Sequence, residues 1–581
     1  MRVVETDVLV VGAGPCGLTA AAFLAMYGVE AITITKYPRT ANTPRAHITN
    51  QRTMEVMRDL GIEEQVRAVS VPNELMADNV WATSMAGKEI ARVKTWGTMV
   101  GRKADYEAGS PSAMCNMPQH LFEPLILQGA VDRGADVRFS TELTEIAQDD
   151  TGVTATVRYR HTGETYLIKA KYAIGADGGR STVAEQLGFT LEGETGLGYA
   201  VNIWLEADLS RFRAHRPGVL FWTAQPGNDF WLGSGVFITV RPWNEWVLVF
   251  MYDPDTEEID TSEEAMLPRI HKAIGDDSVP VTIKNVSTWQ VNHVLATEYR
   301  RGRVFLAGDA AHRHPPANGL GSNTSIQDAY NLAWKLAAVL KGQAGEALLE
   351  SYHQERHPVG RQVVDRALKS ADIVGRVPSI LGIRPGQTDE EGWAAIDGFF
   401  ADTDDGRRRR KALEDCLDEN AYHFHAHGVE LGQRYTSVAV VDDGTPFPAY
   451  TRDPELYYHP TTHPGAYLPH VWVERHGKQI STLDVVGHGK FTLITGIGGE
   501  AWTAAAEKVS AELGVEIASA PIGYRLAFDD VYGDWARTRE VTDGGCLLVR
   551  PDRHIAWRSH DKADDPVSVL REAAKSALSR T

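Results

Sequence analysis

A single histidine, His47, stands at a proline turn in the stretch PRAHITNQRTMEVM (residues 44–57). Imidazole titrates near pH 6.5, so such a residue serves either proton transfer or an ordinary structural hydrogen bond. Two other groups of residues have chemical potential. Gly12, Gly14 and Gly17 fall in GxGxxG spacing within GAGPCG, and Asp309 lies in GDAAHRHPPANGLGSN (308–323). The glycine spacing suits a phosphate-binding turn: Gly12 makes the turn, Gly14 lets a pyrophosphate approach the backbone, and Gly17 packs helix against strand. The acid expected at the end of the next strand to hold ribose hydroxyls is replaced by Thr35 followed by Lys36, and a hydroxyl makes the same bond more weakly.

These residues need elements to position them. DVLVV reads as a buried parallel strand, LTAAAFLAMY as a helix ended by Gly28, and AITIT as the next strand, so the glycines sit inside a βαβ unit. A strand over AKYAIG delivers the turn 175–180 to a helix capped by Ser181 or Thr182. The strand RVFLA places Gly308 and Asp309 at its carboxyl end, where the acid suits sugar hydroxyls. The loop amides around Gly319–Gly321, at the start of a helix near Ser322, suit an electron-rich ring edge, although Pro/Gly clusters also serve as plain connections. After His47, Asn50 is expected to cap a helix with Met54, Met57 and Leu60 on one side.

Between 199 and 255 the segments YAVNIWLEADL, GVLFWTAQ, GVFITVRP and EWVLVFMYD predict a mainly antiparallel sheet, a wall for an apolar pocket. Residues 370–430 read as a charged helical connector. Beyond Gly432, SVAVV, HVWVE, KFTLITG, VEIASAPI and GGCLLVRPDRHIAWRS predict strands around the helix AWTAAAEKVSAELG, a separate small domain with a structural or oligomerisation role. His423, His425 and His427 would share one side of a strand, either as metal ligands or, without a nearby Cys or carboxylate, in a solvent-facing linker.

A chain of 581 residues, 43% apolar and 23% charged, predicts a folded enzyme of two or three domains. The net charge of −18 opposes nucleic-acid and anionic membrane partners; the basic run 407–411 reads as a solvated helix start. The acid at Glu5 argues against a signal peptide, and the apolar run Ala20–Val29 is about half of what a bilayer span needs, so the cytoplasm is expected. Four scattered cysteines indicate neither disulfides nor a zinc site.

GAGPCG (12–17), GADGGRS (175–181) and GDAAHRHPPANGLGSNTSIQDAYNLAWKL (308–336), in that order, resemble the FAD-dependent single-component aromatic hydroxylases. TPRAHITNQRTMEVMRDLG (43–61) and VRPWNEW (240–246) resemble the phenol hydroxylase branch, whose C-terminal domain is thioredoxin-like; its redox cysteine pair is absent here. The resemblance implies an α/β fold: a Rossmann-like FAD domain (1–80, 101–185, 290–370), an inserted antiparallel substrate domain (81–100, 186–289), a helical linker (371–430) and the C-terminal domain (431–581). It also implies a homo-oligomer, a dimer or tetramer.

By the same resemblance, Gly12, Gly14, Pro15, Gly17 and Arg45 meet the pyrophosphate side of FAD, Thr35 and Lys36 its ribose end, and Gln119 the ribityl region. Asp309 meets the ribityl or phosphate end, and Pro316, Gly319, Leu320, Gly321 and Asn323 the isoalloxazine. Asp177 and Gly178 serve both FAD and the passing NAD(P)H, NADH or NADPH being left open. Asn318 replaces a glycine of the usual loop pattern, a change expected to alter loop mobility. The implied reaction is NAD(P)H- and O2-dependent ortho-hydroxylation of a substituted phenol to a catechol through a flavin hydroperoxide. The phenol must lose its proton, and His47 falls on the position of the base. Arg241 is the candidate cation beside the phenolate, or else an ordinary salt-bridge partner. Trp96, Trp222, Trp231 and Phe250 are candidate pocket walls, or plain core. The alternatives are a flavin module that only oxidises NAD(P)H to give H2O2, and a halogenase, disfavoured for want of a WxWxIP segment.

Overall fold

The computed structural model describes residues 2–227 and 234–580. β1 (Val3–Val11), α1 (Pro15–Met26) and β2 (Ala31–Ile34) form the βαβ unit. β1 pairs in parallel with β2 and with the strand Thr165–Gly175, which pairs in parallel with Val304–Leu306. Val11 stands opposite Ile34 and Gly175, and Gly175 opposite Leu306, so four strands end in register. The segments leaving those ends, Gly12–Gly17, Thr35–Lys36, Asp177–Gly178 and Gly308–Asp309, therefore line one edge of the sheet. Open parallel sheets bind ligands at that edge.

A second eight-stranded sheet, mainly antiparallel, runs in the order His312–Arg313, Thr282–Ala296, Leu191–Glu206, Glu245–Tyr252, Gly235–Arg241, Leu220–Thr223, Asp78–Ala82, Glu89–Lys94. Side chains alternate between its faces with period two. Trp222, Val236, Val240, Val247, Val249 and Met251 pack on one face with Ile48, Trp96 and Met114. Phe221, Phe237, Leu248 and Phe250 pack on the other, under the helix Glu263–Ile274. Phe250 is thus a core residue of the helix-covered face and not a wall on the face that holds Ile48. Trp231 lies outside the described residues.

The linker is helical, over Glu350–Ile380, Asp389–Phe400 and Asp404–Glu419. Of the basic run, Arg407 and Arg408 are exposed, whereas Arg409 and Arg410 donate to the Ile380 and Ala401 carbonyls at 2.9 and 3.0 Å. The histidine triplet departs from expectation. His423 lies in the short helix Ala421–Phe424 and His427 in His427–Leu431, and all three imidazoles are buried. Spacing of two residues suits a strand only when the backbone is extended, and here it coils. Among the described residues no group of three His, Cys, Asp or Glu could hold a metal, and no helix is long and apolar enough to cross a membrane.

The C-terminal sheet has the order Ile517–Pro521, Phe491–Thr495, Cys546–Val549, Ile555–Ser559, the first pair parallel and the rest antiparallel. The helices Glu500–Leu513 and Pro566–Ala577 pack with it, an arrangement compatible with a thioredoxin-like unit. Residues 437–440, expected to begin a strand, form a turn, and Val441 makes a single backbone bond to Ala556, 2.8 Å.

Candidate functional site

His47 is carried on an irregular strand held from two sides. Its carbonyl accepts from the Met117 N–H at 2.7 Å, and the Arg45 carbonyl accepts from the Gln119 N–H at 2.8 Å. The next two residues, β3 (Ile48–Thr49), pair with Cys115–Asn116, and Asn50 caps α2 (Gln51–Asp59) by accepting from the Thr53 N–H at 3.0 Å. Asn323 closes the other side. Its amide donates to the Ile48 carbonyl (2.8 Å) and the Gly319 carbonyl (2.6 Å), and its oxygen accepts from the Asn50 N–H (3.0 Å). Gly319 has φ 66°, and a Cβ there would lie 2.6 Å from the Ile48 Cβ. Only glycine allows loop and strand to approach this closely. The loop 316–321 and the His47 segment are therefore stitched together by Asn323 and Gly319, and the Asn323 side chain is spent on that stitch.

The His47 side chain is buried, and its Nδ1 has no hydrogen-bond partner among the described residues. Burial, reinforced by repulsion from His120, lowers its pKa to about 3, against the opposing Thr239 carbonyl and Asn116 side chain. His120, one residue past the Gln119 ladder bond, is half-buried with an unpartnered Nδ1, and its ring lies 5.4 Å from that of Trp204. Burial lowers its pKa too, with Glu245 opposing and Arg241 and Lys284 assisting. Sequence reasoning stopped at Gln119; the signal for His120 was its adjacency to that residue.

Arg241 ends the strand Gly235–Arg241 with its side chain 64% exposed and its Nε 3.3 Å from Glu245 Oε2. Of the two roles open for it, the salt bridge is the one present; Glu245 also accepts from Trp204 Nε1 at 2.8 Å. Trp96 and Trp222 are both sealed. Trp96 packs edge-on against Phe424 (5.4 Å), and Trp222 donates to Asn79 Oδ1 at 2.7 Å. On the same sheet face Trp204, Leu220, Ile238 and Trp289 remain half-exposed.

The glycine turn divides its labour clearly. A Cβ at Gly12, where φ is 111°, would lie 2.1 Å from the Ala176 carbonyl oxygen, and one at Gly17 would lie 1.9 Å from the Gly12 carbonyl oxygen. At Gly14 the nearest atom is Glu123 Oε1, 3.9 Å away. Gly12 and Gly17 are fixed by the fold, whereas Gly14 faces open space at the N-terminus of α1. That helix has Pro15 in its first turn, no side-chain cap and no acid there, so its free N–H groups suit an anion. The helix Gly321–Leu340 also starts uncapped, and a Cβ at Gly178 would meet nothing within 4 Å.

Asp309 is solvent-accessible, yet the surrounding protein pushes its pKa above the ordinary carboxylate range, with His312, Arg313 and Arg45 opposing. Both hold for a group on the floor of a deep cleft. Arg45 is exposed at that cleft, as are Pro316 on the loop and Lys36 beyond β2, while Leu320 is buried and Thr35 accepts weakly from the Tyr37 N–H (3.4 Å). Ser181 caps the helix Thr182–Gln186, accepting from the Ala184 N–H at 2.9 Å, and Asp177 backs it, accepting from Ser181 Oγ at 2.5 Å and the Val183 N–H at 3.2 Å. Gln119 donates to Glu123, which also accepts from the Ala41 N–H. Open space at the phosphate glycine, two uncapped helix starts and a recessed acid at the ends of parallel strands fit FAD.

The fold and cleft define a flavin-dependent aromatic hydroxylase. Residues 5–367 match the FAD binding domain family and residues 461–581 the aromatic-ring hydroxylase C-terminal family. The chain is 48% identical to 2,4-dichlorophenol 6-monooxygenase of Delftia acidovorans, over 99% of each chain. It is 46% identical to phenol 2-monooxygenase of Pseudomonas sp. (strain EST1001), over 98% of this chain and 92% of that one. The crystal structure of the flavin-dependent monooxygenase PieE in complex with FAD and substrate superposes with TM-score 0.96 at 47% identity, covering all of both chains. The chain belongs to the FAD-dependent aromatic-ring hydroxylases.

Proposed function

We propose that this protein ortho-hydroxylates a substituted phenol to a catechol using FAD, NAD(P)H and O2, with His47 taking the phenol proton. The observation that carries the reading is the Asn323–Gly319 stitch, which sets a buried imidazole beside the loop expected to hold the flavin ring. The 48% and 46% identical relatives, named for 2,4-dichlorophenol and phenol, support the substrate class. Bound FAD supplies the redox and oxygen-transfer chemistry, and the chain's residues orient the ring, exclude water and move the proton.

A tyrosine-like phenol with pKa near 10 facing His47 at about 3 leaves a gap of about seven units, roughly 10 kcal/mol for an isolated transfer. Two features reduce it. The phenolate is the imidazolium's own counter-ion, worth about 4 kcal/mol at ~4 Å and an effective dielectric of ~20. His120, whose charge is felt at His47 and whose Nδ1 is also without a partner, offers a second imidazole nearer solvent as a candidate proton acceptor. Half-exposed Trp204, Ile238 and Trp289 are the better candidates for the ring's apolar walls than sealed Trp96 and Trp222. Electron-withdrawing ring substituents acidify the phenol, each pKa unit removing about 1.4 kcal/mol of the gap.

The test is a panel of phenols scored for catechol formed per NAD(P)H oxidised. Coupled turnover rising with phenol acidity is expected; NAD(P)H oxidation yielding only H2O2 with every phenol would overturn the reading. His47→Ala should keep FAD and flavin reduction while hydroxylation falls about 10²-fold or more. Normal coupled turnover in that variant removes His47 from the mechanism.

A further inference from the structure

The hairpin that joins the C-terminal strands Cys546–Val549 and Ile555–Ser559 carries Arg550, Asp552 and Arg553 at its tip, and all three are buried. Their charged ends reach beyond their own domain. Arg550 pairs with Glu355 at 2.6 and 2.9 Å and with Asp552 at 2.6 Å, and Lys335 joins Glu355 at 2.6 Å. Asn331 donates to Asp552 at 3.0 Å. Both Asn331 and Lys335 belong to the helix Gly321–Leu340, whose first turn follows the flavin loop.

Arg553 reaches the other helix. Its Nη2 lies 3.2 Å from Asp59 Oδ1 and its Nη1 donates to the Glu55 carbonyl at 2.9 Å, both in α2, the helix whose first residue, Gln51, is four residues after His47. Tyr330 ties the two systems: its hydroxyl donates to Asp59 Oδ2 at 2.8 Å and lies 3.3 Å from the Pro551 carbonyl. The C-terminal domain grips α2 again through Asp484, which takes Arg58 at 2.6 and 2.8 Å, and through the Tyr467 ring, 3.1 Å beneath the Arg52 guanidinium.

The two helices are thus joined at two places. At the start, Asn50 meets Asn323; about 13 Å along α2 and about 10 Å along the partner helix, Asp59 meets Tyr330 and the hairpin. Buried ion pairs contribute little net stability compared with apolar packing of the same volume, because desolvation offsets the attraction. What they supply is direction: a charge without its partner is so costly that only one registration of the helices is allowed.

We propose that the hairpin 550–553 is a positioning element for the reaction, fixing the helix behind His47 against the helix behind the flavin loop. It rests on the reading of His47 above. The C-terminal domain, lacking a redox pair, then acts on catalysis through geometry: loosening the hairpin misplaces phenol against flavin, and reducing equivalents leave as H2O2.

The test compares two substitutions that remove equally buried arginines from the same domain. Arg553→Met removes the hairpin's own grip on α2 and leaves those of Asp484 and Tyr467 in place. Arg558→Met removes contacts to Asp443 and Glu540, which lie within the C-terminal region. With FAD bound, Arg553→Met should lower catechol per NAD(P)H about two- to tenfold, H2O2 making up the difference, and Arg553→Lys should recover part of it. Arg558→Met should lower Tm and leave coupling unchanged. Tyr330→Phe, which keeps the ring's volume, covers the case in which Arg553→Met fails to fold and should show a smaller loss. Amide hydrogen exchange over residues 45–50 is read in the same proteins and needs no turnover: it should quicken in Tyr330→Phe and not in Arg558→Met. Unchanged exchange and coupling in Tyr330→Phe, or uncoupling that follows Tm in all variants, overturns the proposal. A wild type that hydroxylates no phenol fails the functional reading alone, since the exchange result still judges the hairpin.

Discussion

The cleft around His47 and the hairpin interface around Arg550 are both buried and polar, and they are built in opposite ways. In the cleft His47 Nδ1, His120 Nδ1, His314 Nε2, Asn318 Oδ1 and Thr43 Oγ1 have no partner among the described residues. At the interface Arg550, Glu355, Asp552 and Lys335 each have an opposite charge at 2.6 Å. Buried polar atoms are normally paired, so a cluster of unpaired ones marks a place completed by something else, here cofactor, substrate and water. Arg553 Nε, at the same hairpin tip, lacks a hydrogen-bond partner, but the four paired charges have nothing left to bind with and can only hold their neighbours in place. The two regions divide the work of the enzyme between binding and bracing.

The largest expected contrast is with pH. His47, His423 and His427 are lowered to about 3 and His314 and His425 to about 4, burial being the first cause in each. The folded forms are depressed below the unfolded value near 6.5, so the unfolded chain takes up protons first. The contribution of these five to stability should be flat above pH 6.5 and fall between 6.5 and about 4, each histidine adding up to about 1.4 kcal/mol per unit. Five of them would exhaust an ordinary stability of ~5–15 kcal/mol within about two pH units. The interface carboxylates, held below their ordinary range by Arg550 against burial, keep their charge throughout that window. Denaturant melts at pH 7 and pH 5 test this: equal midpoints would contradict the burial of these imidazoles, and His427→Gln should flatten the slope.

Charge removal sharpens the contrast at constant pH. Glu355→Gln strands Lys335, leaves Arg550 with Asp552 alone and should cost about 3–5 kcal/mol, read as a fall in Tm. His47→Ala removes an imidazole whose Nδ1 has no partner and no opposite charge, and should lower Tm far less than Glu355→Gln while hydroxylation collapses. Comparable losses of stability in both would erase the distinction. Within the glycine turn, Gly17→Ala should fail to fold because its Cβ meets the Gly12 carbonyl, whereas Gly14→Ala should fold normally and bind FAD about tenfold or more weakly. FAD titration of the apoprotein measures the difference, and wild-type affinity in Gly14→Ala would move the pyrophosphate elsewhere.

Much of the cleft was legible because its signals are local. The glycine turn, the Asn50 cap and the strand ends carrying Asp177 and Asp309 follow from spacing over a few residues. Phe250 was misplaced because which face of a strand looks inward depends on pairing with strands far away in the chain. The histidine triplet reads equally as strand or coil until Phe424 is packed against Trp96. The hairpin was invisible for the same reason: Glu355 and Arg550 are 195 residues apart, and nothing near either one announces the other.

Asn318 gives the smallest and most delicate test, because local and distant effects oppose. It stands where the family pattern has glycine and adopts φ 66°, a left-handed conformation that asparagine tolerates at some cost. Its amide donates to the carbonyls of Tyr422 and His423 at 2.6 and 3.0 Å, tying the flavin loop to the helical linker. Asn318→Gly would relieve roughly 1 kcal/mol of backbone strain and lose two hydrogen bonds of about 1 kcal/mol each. The net expectation is a loss of about 1 kcal/mol in denaturant melts and faster amide exchange over residues 316–320. The departure from the family pattern then anchors the loop at a site the usual glycine cannot reach. A more stable, equally protected Asn318→Gly protein would mean that backbone strain outweighs the tie and that the loop is held by Asn323 and Gly319 alone.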